Sequence, residues 1–108
     1  MLPEARRRIA EVAAMNVELM RLAERARSGE QVTADAKGID ASIHDALAWF
    51  EREGIQVKGV APALLDFPAI AAEGEVLLCW LHGEDDIDWF HDTETGFAGR
   101  APLAELTW

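Results

Sequence analysis

Residues 64–102 read LLDFPAIAAEGEVLLCWLHGEDDIDWFHDTETGFAGRAP, and the order of special residues in this stretch decides the fold. Residues 59–108 hold three of the four prolines, five of the eight glycines, three of the four tryptophans and the only cysteine. Leu64–Phe67 reads as a short strand ended by Pro68, because proline cannot donate to a ladder. Glu73-Gly74 is a turn signal. Glu75–Leu81 is the strongest strand pattern, apolar on both faces and therefore central. His82–Asp86 reads as a turn and Ile87–His91 as a further strand. Thr95-Gly96 and Ala98-Gly99 mark more turns, and Leu103–Trp108 reads as a tail. Just upstream, Ile55 and Val57 alternate with Gln56 and Lys58, as in a short strand or an extended lead-in. Gly59 and Pro62 then punctuate the chain. There are no internal repeats.

Upstream the period changes from two to nearly four. Residues 2–28 predict one long helix. Pro3 suits the first turn, where its missing N–H costs nothing. Alanine, leucine, methionine, arginine and glutamate dominate, all good helix formers. Leu2, Ala5, Ile9, Val12, Asn16, Leu19, Ala23 and Ala26 alternate steps of three and four, a heptad seam with Asn16 at a core position. At about 1.5 Å per residue this helix is roughly 40 Å long, more than a globule of this size needs. Two readings of the seam stand side by side: a hairpin with the next helix, or pairing with a second copy through Ile9, Val12, Asn16 and Leu19. Residues 29–38 read as a polar loop. The second helix is expected from Asp40, a candidate N-cap, to Glu53, with Gly54 as a left-handed stop. Ile39, Ile43, Ala46, Leu47 and Phe50 form its apolar stripe.

The chain has 108 residues, half of them hydrophobic, which fits a single domain of residues 1–108 with one core. A lone cysteine excludes an internal disulfide framework. Cys79, inside the run Val76–Leu81, reads as a buried small hydrophobe, with a reactive thiol as the alternative. A reducing, cytoplasmic setting follows. No apolar stretch reaches the roughly 20 residues that span a bilayer, and the N-terminus has no signal-peptide pattern. Net charge is −10 and uneven. Residues 1–29 carry six arginines against four glutamates, whereas residues 30–108 carry four basic and sixteen acidic groups. That negative body disfavours nucleic acid and membrane surfaces as partners. Arg6-Arg7-Arg8 reads as a solvated helix face.

Several pieces of the C-terminal half resemble a bacterial family known as domain of unknown function 2203 (DUF2203). They are Gly54-Ile55-Gln56-Val57-Lys58, Leu65-Asp66-Phe67-Pro68-Ala69, Leu78-Cys79-Trp80, Gly83-Glu84, Trp89, His91, Gly96-Phe97-Ala98-Gly99-Arg100 and Pro102. Together they cover about residues 54–103, while the helical part matches in character more than in detail. Three departures stand out. The lead-in to the first helix is reduced to Leu2-Pro3-Glu4, His82 replaces the usual apolar residue, and Gly38 interrupts the second helical region. The resemblance implies a shared fold and site but no reaction.

Common catalytic signatures are missing: no G-x-S-x-G, H-E-x-x-H, phosphate-binding glycine loop or C-x-x-C is present. The chain is therefore not read as an enzyme from sequence. What remains is a polar constellation of Asp66, Glu84, Asp85, Asp86, Asp88, His91, Asp92 and Arg100. Asp66, between Leu65 and Phe67, needs a donor because an unpaired buried charge is costly. Arg100 is the expected partner, either stapling the C-terminal loop to the sheet or facing an anionic ligand. His91 shares a strand face with Ile87 and Trp89, as a hydrogen-bonded core residue or as a ligand. With Glu84 it would make a nitrogen/oxygen site for a divalent metal, zinc or manganese; His82 could add a second nitrogen. Glu84-Asp85-Asp86 also reads as a plain solvated turn. Phe97 is expected in the core, pinned by Gly96 and Gly99.

The sequence thus predicts an α+β fold: an antiparallel helical hairpin (1–54, long first helix) packed with a small antiparallel sheet and tail (55–108). Two functions are consistent with it. One is a non-enzymatic interaction module that forms a homodimer through its helices or meets another protein. The other is a metal- or anion-binding domain, with hydrolysis as a variant, centred on His91, Glu84, Asp66 and Arg100.

Overall fold

A computed structural model describes residues 1–108. Two helices, α1 (Leu2–Arg27) and α2 (Thr33–Arg52), form a hairpin. Five strands follow: β1 (Gln56–Val60), β2 (Ala63–Ala71), β3 (Gly74–Leu81), β4 (Trp89–Asp92) and β5 (Ala101–Pro102). They pair antiparallel in the order β1-β2-β3-β4-β5, so every neighbour in sequence is a neighbour in space. The expected α+β layout of helical hairpin and small antiparallel sheet is the one observed.

Pro3 sits in the first turn of α1. Salt bridges one turn apart line its exposed side, Arg7 to Glu4 and to Glu11 at 2.8 Å and Arg8 to Glu4 at 2.7 Å. The inner face of α1 carries Ala5, Ile9 and Val12, all buried. They pack on Phe50 of α2 and on Ala63, Leu65, Phe67 and Trp80 of the sheet. Trp80 is fully enclosed, and its indole N–H donates to the Glu84 carbonyl at 2.9 Å, which satisfies its polar edge.

Four readings of the sequence need correction. Helix α2 begins at Thr33, not Asp40, and runs through Gly38. A single exposed glycine costs only about 1 kcal/mol relative to alanine, and Val32, directly before α2, is buried at the hairpin turn. Asp40 is therefore no cap; Gly54, at φ 75°, does stop the helix as expected. Strand β2 does not end at Pro68 but continues to Ala71. The N–H of His82 bonds the carbonyl of Ala63, which directs alternate residues from Ala63 onward toward β3 and leaves Pro68 facing the other side. There β1 has already stopped, its last partner being Asp66, so no ladder bond is lost. The C-terminal segment is not a plain tail. It adds β5 beside β4, makes a 3-10 turn at Leu103–Glu105, and its Thr107 carbonyl accepts the N–H of Ala72. Finally, Phe97 is 46 % exposed rather than pinned in the core.

The molecule is long, 56 × 24 × 24 Å, with a radius of gyration of 16.9 Å. A compact chain of this length would have about 13 Å. The excess comes from the hairpin: its outer half reaches past the sheet as a two-helix arm, where only Leu22 and Val32 are buried.

Candidate functional site

The two faces of the sheet are chemically distinct. Register places Leu65 opposite Trp80 and Phe67 opposite Leu78, the face that meets the helices. It places Asp66 opposite Cys79, while His91 lies opposite Leu77 on the next strand. Cross-strand partners point to the same side and successive residues to opposite sides. Asp66, Cys79 and His91 therefore share the face turned away from the helices.

This second face is covered by the loop after β4. The Asp92 carboxylate accepts the backbone N–H groups of Glu94 at 2.8 Å and Thr95 at 2.7 Å, turning the chain back over the sheet. Those bonds, Thr95 first, hold the Asp92 carboxyl below its usual value. A 3-10 turn, Phe97–Gly99, follows. Gly99 is needed there because a Cβ would collide with the Thr95 side chain. Beneath the loop lies a cavity of about 290 Å³ lined in part by Asp66, Cys79 and His91, with exposed Thr93, Glu94 and Phe97 at its rim.

Asp66 and His91 are 2 % and 3 % exposed and make a buried pair, Nε2 to Oδ1 at 3.1 Å. The other imidazole nitrogen, Nδ1, donates to the Asp92 carbonyl at 2.6 Å. Cys79 completes the group: donor atoms of the three side chains all lie within 4.8 Å of one another. The thiol is pushed up to about 12 from an ordinary value of 9.0, first by burial and then by the negative charge of Asp66; Arg100 acts the other way. A buried thiol in this setting stays protonated unless a cation binds it.

Arg100 does not pair with Asp66, as the sequence reading expects. Its Nη2 donates to both carboxylate oxygens of Glu84, at 2.7 and 2.8 Å. The guanidinium lies over Trp89, 5.0 Å from the ring centre, and over Phe97 at 4.7 Å. The swap follows from the strand pattern. Asp66 finds His91 two strands away on its own face, and Glu84 sits in the β3–β4 turn, where Oε1 also accepts the Leu81 N–H at 2.6 Å. Glu84 is thus held by Arg100 and the turn, and the side chains gathered around His91 are Asp66 and Cys79. The two groups adjoin, because the same Arg100 Nη2 reaches the Cys79 carbonyl at 3.5 Å. Asp85, Asp86 and Asp88 are exposed. His82 is exposed too, edge-on to Trp80 at 6.4 Å, and stands apart from the triad. Ile87 precedes β4 and packs on the helix-side core, not beside His91.

Cys79 is the residue that sequence reasoning left out of the polar group, reading it as a buried hydrophobe or a reactive thiol and not as a neighbour of Asp66 and His91. A signal was present. Ala71 and Gly74 close the β2–β3 turn, so five residues back along β2 and five forward along β3 bring Asp66 opposite Cys79.

The chain belongs to the DUF2203 family. The family, described as an uncharacterized conserved protein, matches residues 1–103 and so takes in the helical hairpin as well as the sheet. No curated protein and no solved structure matches the chain. The DUF2203 resemblance rested on scattered pieces, and those pieces hold Asp66, Cys79, Glu84, His91 and Arg100, which meet on one side of the sheet. No helix is long and apolar enough to cross a membrane.

Proposed function

We propose that this DUF2203 chain is a non-enzymatic assembly module whose helical arm pairs with a second copy. The observation that supports this most is the arm itself. It extends the molecule to 56 Å and presents Val17 and Met20, which are 54 % and 63 % exposed, beside half-buried Met15, Leu19, Ile39 and Ile43. Ile9 and Val12 are enclosed by the chain's own core. The contact between copies therefore falls on the outer part of the seam, around Asn16 and Leu19, with Asn16 setting register. Sedimentation and light scattering test the reading: a dimer is expected, weakened by Asn16→Lys. A monomer at every accessible concentration would remove it.

A second reading is favoured by the cavity over β2–β4. Here the chain is a metal- or anion-binding domain, and the ion is divalent, zinc or manganese. Melting shifts with divalent ions or phosphate test it. A flat response to all of them would count against this reading and leave the arm untouched.

A further inference from the structure

The geometry around His91 specifies more than a cluster of polar groups. Its Nδ1 lies 2.6 Å from the Asp92 carbonyl oxygen. A carbonyl can only accept, so Nδ1 carries a proton and donates it. The second nitrogen, Nε2, faces the Asp66 carboxylate at 3.1 Å. Two bare lone pairs do not sit at that distance in a buried place, so a cation lies between them: a proton or a metal ion. A metal-ligating histidine is oriented in this same way, with one N–H held by a backbone carbonyl and the other nitrogen turned to the ion.

Charge balance allows the exchange. With a proton between them, His91 and Asp66 are neutral as a pair, and the Cys79 thiol is neutral. When a divalent ion binds, the proton between the pair and the thiol proton leave to solvent. The ion's two charges then meet one carboxylate and one thiolate. The buried group is neutral before and after, so the penalty for burying net charge does not arise.

We propose that Asp66, Cys79 and His91 are three ligands of a zinc-type divalent ion whose fourth position opens on the adjoining cavity. The proposal deepens the second reading above and is independent of the helical arm. Thiolate with imidazole and carboxylate suits zinc, whereas magnesium, calcium and manganese prefer all-oxygen sets. In a tetrahedral site with bonds of about 2.0–2.3 Å, ligand atoms stand roughly 3.3–3.8 Å apart. The three donor atoms here lie within 4.8 Å, and the imidazole–carboxylate pair is already at 3.1 Å. Small side-chain rotations therefore close the site. Three strands of one sheet hold the ligands, so the site is preorganised by register rather than by a loop. Three protein ligands with a cavity of about 290 Å³ beside them leave room for water or an exogenous ligand.

The test is titration of the chelator-treated full chain with cobalt(II) and then zinc, followed by absorption spectroscopy and calorimetry. One ion per chain is expected, with a thiolate-to-cobalt charge-transfer band that zinc abolishes. Because Cys79 is the only cysteine, that band assigns the site without any variant. Cys79→Ser, checked for folding by circular dichroism, should lose the band and weaken zinc binding by more than the roughly 10–100-fold that loss of an outer-shell partner costs. Cobalt binding with no thiolate band would place the ion elsewhere, overturning this site while leaving the broader ligand-binding reading intact. No binding of either ion would also overturn it; the broader reading would fall only if phosphate and other anions left the melting curve unmoved as well.

Discussion

The two faces of the sheet are built from the same three central strands and differ in almost everything else. The face under the helices is dry and apolar, with Leu65, Phe67 and Trp80 against Ile9, Val12 and Phe50. The face under the 93–100 loop buries Asp66, His91 and Cys79 and carries the Glu84–Arg100 pair along its side. Each side chain's face is set by odd or even position in its strand. One face is therefore free to be optimised for packing while the other holds groups that cost stability unless paired. The contrast separates a region that makes the fold from a region that the fold makes available for chemistry.

The sharpest way to break this contrast is on the helix side. Trp80→Ala should cost about 3–5 kcal/mol in urea unfolding, since it empties a fully enclosed site and releases the indole hydrogen bond. That is a large part of the roughly 5–15 kcal/mol a domain has, so loss of folding is also an expected result. A midpoint that hardly moves would mean that this face is not the core.

Next comes the Glu84–Arg100 pair, whose side chains are 20 % and 12 % exposed. Removing one partner of a fully buried pair costs about 3–5 kcal/mol; with solvent at both groups, Arg100→Ala should cost about 2 kcal/mol. Arg100→Lys should recover only part of this, because a point charge replaces a fork stacked on Trp89 and Phe97. Equal stability of the lysine variant and the parent would show that charge alone matters there.

A subtler probe is Cys79. Its folded value, near 12, lies above the unfolded 9.0, so the native state holds the thiol proton more tightly. Stability from this source is complete below about pH 9 and lost as pH rises toward 12. The denaturation midpoint should fall across that window more steeply in the parent than in Cys79→Ala. At pH 8 the native thiol should hold far less thiolate than an unfolded one, and alkylation should be slow until urea is added. Rapid alkylation of the folded chain would contradict the burial seen here.

The smallest effect is expected at Ile70, 75 % exposed and beyond the end of β1. Ile70→Thr should stay within about 0.5 kcal/mol of the parent. A larger loss would point to something covering this edge.

The helices, the strand-rich second half and the antiparallel arrangement were legible because they rest on local periodicity and on punctuation by proline and glycine. The start of α2 was not legible, because a single exposed glycine, Gly38, costs too little to end a helix that starts directly after the buried Val32. Pro68 misled for the opposite reason: its cost depends on whether a neighbouring strand is present, and β1 had already ended. The candidate site was half legible. Asp66, Glu84, His91 and Arg100 stood out as polar groups in apolar or turn contexts, yet their partners were exchanged, Asp66 being matched with Arg100 and His91 with Glu84, since the true pairing depends on which strands lie side by side.

The order of residues alone therefore determined that this chain would form a helical hairpin and a small antiparallel sheet, because helix and strand periods and turn residues act over a few neighbours. Only the tertiary structure decided that Cys79 joins Asp66 and His91, and that Arg100 belongs to Glu84. Those contacts span 12 to 25 positions in sequence and exist only once register has brought separate strands edge to edge.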